Sequence, residues 1–164
     1  MIGKNGLLIN QAYGSYVFIG YLVLNGLFLE PDKPLEGGCA GCNACVRACP
    51  GNALGQNGIA VERCLSAITQ KKGKLTAEET EALRRGGLIW GCDRCSEVCP
   101  HNRGVPETPL PEFREGIKPF LRSEELEGLS EREFRKKFSD RAYTWRGKKV
   151  LARNLEILGE KNEI

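Results

Sequence analysis

The chain is short of the residue types on which most enzyme chemistry relies: its 164 residues include one histidine, one methionine and two tryptophans. It contains no Ser-His-Asp arrangement and no glycine-rich phosphate loop. Nucleophilic hydrolysis and nucleotide binding therefore lack their usual frameworks. Long apolar runs are missing as well. The most apolar stretch, 16–29, is interrupted by Gly20, Asn25 and Gly26 and falls short of the ~20 apolar residues of a spanning helix. Glu30-Pro31-Asp32 follows it, where a secretory segment would carry a small-residue cleavage site. Strong overall charge is absent too. A formal net charge of +3, with 41% hydrophobic and 27% charged residues, is the balance of a folded, soluble chain rather than of a disordered one.

What the chain does have is cysteine, eight in all. Four lie in the run Cys39-x2-Cys42-x2-Cys45-x3-Cys49-Pro50 and three in Cys92-x2-Cys95-x3-Cys99-Pro100, with Cys64 alone between them. The first run has the spacing of bacterial two-cluster ferredoxins, in which the last cysteine reaches across to the other iron-sulfur cluster. In the second run Ile89 occupies the place of the first cysteine, and Cys64 is the residue left to supply it. The count then closes as two 4Fe-4S sets. Cys39, Cys42, Cys45 and Cys99 form cluster 1; Cys49, Cys64, Cys92 and Cys95 form cluster 2. Two other readings compete. Paired C-x2-C knuckles also hold structural zinc, and an even cysteine count also forms disulfides in secreted chains. A zinc knuckle has no use for the third cysteine at x2 spacing, and nothing else in the chain looks secreted. Thiolate-bound clusters are consistent with the reducing cytoplasm.

Around these runs the chain reads as an α+β protein. Leu7-Leu8-Ile9, 16–19 and 27–29 suggest strands, with a bend or hairpin at Asn25-Gly26. Pro31 to Pro34 is a linker. Ala53-Leu54 and Ile59-Ala60-Val61 flank a small hairpin turn at 56–58, and Cys64 opens a short helix to Gln70. Thr76-x-x-Glu79 and Ser130-x-x-Glu133 are capping boxes that start helices. The first of these helices is expected over 77–85, ended by Gly86-Gly87. The spacing of Val150, Leu151, Leu155 and Leu158 predicts a helix over 148–158 that stops at Gly159. Between Arg135 and Arg153 eight Lys or Arg residues face one acid, Asp140, which marks Arg141, Arg146, Lys148, Lys149 and Arg153 as candidate nucleic-acid contacts. Tyr143 and Trp145 are expected in core contacts between helices, with stacking on a base as the alternative. Trp90 is expected to shield cluster 2, and His101 to be a polar loop residue beside cluster 1, with proton transfer as the alternative.

The order of Leu7-Leu8-Ile9-Asn10, Tyr13-Gly14-Ser15, Leu29-Glu30-Pro31-Asp32, the first cysteine run, Arg63-Cys64-x-Ser66, Trp90-Gly91-Cys92-Asp93 through Cys99-Pro100-His101-Asn102, and Arg153-Asn154-Leu155 resembles the iron-sulfur half of the epoxyqueuosine reductase family. Reductive dehalogenases are more distant cousins. The resemblance implies a cobalamin-dependent oxidoreductase of tRNA modification, in which two clusters pass electrons to cobalamin for reduction of epoxyqueuosine to queuosine. Its partners would be tRNA carrying epoxyqueuosine, an electron donor such as flavodoxin or ferredoxin, and a separate cobalamin-binding chain. It places Ser66, Cys92 and Asp93 near the cobalamin face. On this reading residues 1–36 are remnant edge strands of a truncated cobalamin-binding domain plus a linker, 37–104 a ferredoxin-like double 4Fe-4S domain, and 105–164 an extended segment with basic helices. Such a chain is not expected to turn over alone. The alternative is a stand-alone ferredoxin-like electron carrier that needs neither cobalamin nor tRNA.

Overall fold

The computed structural model describes residues 1–27, 30, 38, 39, 41–55 and 58–159, and the backbone of 161–163. Its architecture is a mixed α and β fold in which short helices carry most of the packing. Two of them, α1 (Ala44–Ala48) and α4 (Arg94–Glu97), follow the first cysteines of the two runs and pack against each other. Both are short for a stated reason. The residue before a proline is pushed out of the helical region, and Cys49 before Pro50 has ψ 113 while Cys99 before Pro100 has ψ 124. Each run therefore ends with its last cysteine extended.

Between α1 and α4 the chain makes a hairpin and two helices. Strands β1 (Leu54–Gly55) and β2 (Gly58–Ile59) pair antiparallel, and the Ala60 N–H continues the ladder onto the Ala53 carbonyl at 2.8 Å. Helix α2 (Leu65–Gln70) begins directly after Cys64. Helix α3 (Ala77–Gly86) opens on the Thr76/Glu79 capping box, with both reciprocal bonds formed, and ends at Gly87, whose φ of 67 is left-handed. Gly86 is the last helical residue rather than part of the stop. There a Cβ would lie 2.1 Å from a methyl of Leu65, so the missing side chain lets α3 settle onto α2.

The rest of the chain builds a second packing centre. Strand β3 (Phe120–Arg122) leads through a turn to α5 (Glu131–Lys137), which opens on the Ser130/Glu133 capping box. A 3-10 turn at Ala142–Arg146 then leads to α6 (Lys148–Leu158), and β4 (Lys161–Glu163) pairs antiparallel with β3. Ile89, Leu121, Leu126, Phe134, Leu151 and Leu155 fill this core. Phe138 and Tyr143 stack into it, their centroids 5.7 Å apart. Tyr143 is the expected core contact, whereas Trp145 is exposed, with the Arg146 guanidinium 3.7 Å from its ring centroid. Trp90 packs edge-on against Tyr143 at 6.2 Å, so the ring expected to shield a cysteine set is also an anchor of the C-terminal helices.

The first thirty residues depart from expectation. Two isolated bridges, Ile2 to Leu8 and Asn10 to Gly14, replace the first strand. No ladder forms over 16–27, and Phe18, Leu22, Val23 and Leu27 are 86–90% exposed. A strand requires a neighbour for its backbone N–H and C=O groups, and this segment has none beside it among the described residues. The third predicted strand falls partly, and the proline linker wholly, outside the described residues. Among the described residues no helix is long and apolar enough to cross a membrane.

Tyr143 is 3% exposed, and its hydroxyl has no hydrogen-bond partner. Burial pushes that hydroxyl up from the usual 10 to about 12. A folded-state value above the unfolded one stabilises the fold fully below pH 10, and the stabilisation is lost as pH rises from 10 towards 12. Tyr143→Phe removes both the unpaired hydroxyl and this titration. Urea melts should show a variant at least as stable at pH 7, by about 1 kcal/mol, with a smaller loss of stability above pH 10. A clear destabilisation at pH 7 would contradict this account of the core.

Candidate functional site

All eight cysteines carry free thiols, seven of them half-buried and Cys99 buried. Cys39, Cys42, Cys45 and Cys99 line one cavity of about 320 Å³ between the start of the first run and the end of the second. The electrostatics couple the same residues. Burial pushes the Cys45 thiol up, and the neighbouring Cys39 and Cys99 add to it. Burial also pushes up Cys92, followed by the charges of Cys64 and Cys49. Cys95 is driven to about 11, by burial first and then by Cys92, Cys45 and Cys64. Cys92 is thus close to Cys49, Cys64 and Cys95, and Cys95 is close to Cys64 and also to Cys45 of the first set.

This donor set suits a polynuclear group. The first four thiols line one cavity, as ligands at the corners of an iron-sulfur cluster would. Metals take cysteine as the thiolate, and burial raises the proton affinity of Cys45, Cys92 and Cys95, so metal loading there must release protons.

Local packing explains how Cys64 reaches the second group. Gly51, just after Cys49-Pro50, sits against the Arg63 backbone so tightly that a Cβ would lie 1.8 Å from the Arg63 carbonyl oxygen. The hairpin returns the chain to that contact. The Ala53 N–H donates to Cys49 Sγ at 3.2 Å, and Arg85 Nε donates to the Pro50 carbonyl at 3.1 Å. Gly51 was not foreseen; its signal was a residue without a side chain directly after a ligand and its proline.

A second tie fixes the other loop. Asn154 on α6 is fully buried and donates to the Thr69 and Ile89 carbonyls, each at 2.8 Å. Thr69 Oγ1 accepts the Gly91 N–H at 3.0 Å and donates to the Ser66 carbonyl at 2.9 Å. Ser66 is thereby linked through Thr69 to Gly91, the neighbour of Cys92 and Asp93. Asn102 anchors the opposite side: its Oδ1 accepts the Ser15 N–H at 2.7 Å and its Nδ2 donates to the Ser96 carbonyl at 2.7 Å. His101 lines the first cavity, with Nε2 3.2 Å from the Gly38 carbonyl oxygen.

The basic candidates divide. Arg141 donates to the Gly116 carbonyl at 2.6 Å and pairs with Asp140 at 3.3 Å, and Lys148 donates to the Leu129 carbonyl. Arg153 is committed to Asn154 Oδ1 and to the Lys71 and Gly73 carbonyls. Arg153 also borders an open groove of about 730 Å³, which Arg146 and Lys149 line with Arg135, Lys72, Lys74 and one carboxylate, Glu131. Lys72 and Lys74 come from the turn before α3, far from the basic run in sequence, and were therefore missed.

Residues 38–102 match the family model of the 4Fe-4S double cluster binding domain. The chain is 41% identical over 167 residues to an epoxyqueuosine reductase of Lactococcus garvieae, covering 99% of this chain and 46% of that protein. The structure of epoxyqueuosine reductase from Streptococcus thermophilus superposes with a TM-score of 0.75 at 38% identity, over 96% of this chain and 41% of that one. A crystal structure of epoxyqueuosine reductase with an epoxyqueuosine-modified tRNA stem loop matches with a TM-score of 0.70 at 34% identity, over 94% of this chain and 41% of that one. The chain spans less than half the length of these relatives.

The Gly51 packing gives a direct test of the geometry. Gly51→Ala forces a Cβ into the Arg63 carbonyl and should cost about 1–3 kcal/mol as overpacking. Iron bound after anaerobic reconstitution should fall, because Cys64 is displaced from its group. Full iron content in a folded Gly51→Ala variant would show that this close approach does not position Cys64.

Proposed function

We infer that the chain belongs to the epoxyqueuosine reductase family, over the iron-sulfur part of that enzyme, and that it serves as the electron-transfer module of such a reductase. In this reading Cys39, Cys42, Cys45 and Cys99 hold one 4Fe-4S cluster, and Cys49, Cys64, Cys92 and Cys95 hold the other. Supporting it, Cys39, Cys42, Cys45 and Cys99 line one cavity, Cys92 couples to Cys64 and Cys49, and Cys95 couples to Cys92 and Cys64. Clusters held by these cysteines would supply one-electron chemistry suited to relay from a flavodoxin- or ferredoxin-type donor. The chain's own residues hold the sulfurs, exclude water and keep the two groups adjacent through Cys45 and Cys95.

Cobalamin would supply the low-potential metal that acts on the epoxide of epoxyqueuosine. Ser66, Cys92 and Asp93 are the residues assigned to face it, joined here through Thr69 and Gly91. The pocket for it would come from a further cobalamin-binding portion, on the same or a separate chain. The exposed apolar residues of 16–27 suit contact with that portion. tRNA is the proposed substrate, its phosphates meeting the groove of Lys72, Lys74, Arg135, Arg146 and Lys149. A stand-alone carrier would need neither feature.

Two experiments test this reading. Protein purified anaerobically should hold about eight iron and eight sulfide per chain, and Cys64→Ser should lose about half of each. Stoichiometric zinc, or full iron content in the variant, would overturn the assignment. Binding of epoxyqueuosine-containing tRNA should weaken steeply with salt. Reversing the charges of Lys72, Lys74 and Lys149 should reduce the log-log slope by roughly 0.7 to 0.9 for each phosphate no longer engaged and leave the clusters unbleached. Unchanged affinity would remove the groove from the RNA interface.

A further inference from the structure

Residues 1–9 contain no regular element, yet they bury two side chains at the cysteine seam: Asn5 is 4% exposed and Ile9 3%. The segment folds on itself through turns. Gly3 N–H donates to the Leu7 carbonyl at 2.8 Å, Gly6 N–H to the Gly3 carbonyl at 2.9 Å, and Ile9 N–H to the Met1 carbonyl at 2.8 Å. Gly6 is in the left-handed region at φ 73, which glycine occupies without penalty. The folded segment then lies over the first cysteine group. Lys4, Asn5 and Ile9 line the same cavity as Cys39, Cys42, Cys45 and Cys99. Asn5 Oδ1 accepts the Leu7 N–H at 3.3 Å, while its Nδ2 lies 3.5 Å from the Cys95 carbonyl oxygen.

Lys4 adds charge to this lid. Its ammonium donates to Asn43 Oδ1 at 2.7 Å. Asn43 stands between Cys42 and Cys45 with φ 51, in the turn that opens α1. The ammonium is thus tied to the turn that carries two of the four sulfurs. Among the described residues no Asp or Glu lines the cavity to offset it, and His101 is the other lining residue that can carry positive charge.

We propose that residues 1–9 form a lid on the first cysteine group and that Lys4, held by Asn43, raises the reduction potential of the 4Fe-4S cluster assigned there; the proposal rests on the cluster reading above. A cluster held by four thiolates is anionic and gains one further negative charge when it takes up an electron. A fixed cation at the rim stabilises the reduced form more than the oxidised one, and net charge and solvent access are the quantities that set such potentials. In the titration the electron comes from dithionite, no bond is made or broken, and no proton need move. The effect centres on one cluster, because Lys4 lines the cavity of the first group.

The test is an anaerobic redox titration followed by low-temperature EPR on the full chain. The variants are Lys4→Gln, Lys4→Arg, Asn43→Gly and, as a remote control on α5, Lys136→Gln. Lys4→Gln should move one of the two midpoint potentials to more negative values and leave the other in place. Lys4→Arg should retain the parent value, and added salt should shrink the difference. Asn43→Gly, which tolerates the left-handed turn and frees the ammonium, should shift the same midpoint in the same direction by less. Iron and sulfide content separates two failures. Fully loaded protein whose midpoints do not move, or move together, or move as far in Lys136→Gln, overturns the proposal alone. A chain that does not hold two clusters overturns it together with the reading beneath it.

Discussion

Eight sulfurs gathered at the seam of two short helices repel one another as soon as they ionise, and the rest of the structure is arranged to hold them there. The raised values at Cys45, Cys92 and Cys95 report that strain: burial withdraws solvent, and neighbouring thiolates add charge of the same sign. An iron-sulfur group relieves it by replacing protons with metal.

The supports are specific. Pro50 and Pro100 force Cys49 and Cys99 into extended conformations at the ends of α1 and α4. In the proposed partition these last cysteines cross into the opposite groups, and α1 and α4 pack against each other. Gly51 brings the Arg63 backbone, and with it Cys64, against the end of the first run. Asn154 and Thr69 tie α6 to the Ile89–Gly91 approach to Cys92 through two buried hydrogen bonds and one half-buried one. The C-terminal helices therefore serve the redox site as well as a groove on the surface. Removing one partner from such a buried pair leaves an unsatisfied group at a cost of about 1–3 kcal/mol.

Much of this was legible in local sequence. Both capping boxes form as predicted, α6 has the predicted bounds Lys148–Leu158, and the hairpin sits at 53–60. These features depend on residues a few positions apart. The misses depend on distant partners. The aromatic, β-branched stretch 16–19 has strand composition but no neighbouring strand among the described residues. Arg141 and Lys148 look free in a basic run, yet carbonyls of Gly116 and Leu129 engage them. Lys72 and Lys74 complete a groove whose other cations lie more than sixty residues later. The role of Trp90 was anticipated only as shielding because its partner Tyr143 lies in another packing centre.

The central claim is the crossing of the ligands, with Cys99 serving the first group and Cys49 and Cys64 the second. Anomalous diffraction at the iron edge from crystals grown without oxygen tests it most directly. The account predicts two separate iron peaks, one ringed by Cys39, Cys42, Cys45 and Cys99 and the other by Cys49, Cys64, Cys92 and Cys95. A single peak, a zinc edge, or Cys49 ligating the same group as Cys39 would contradict it.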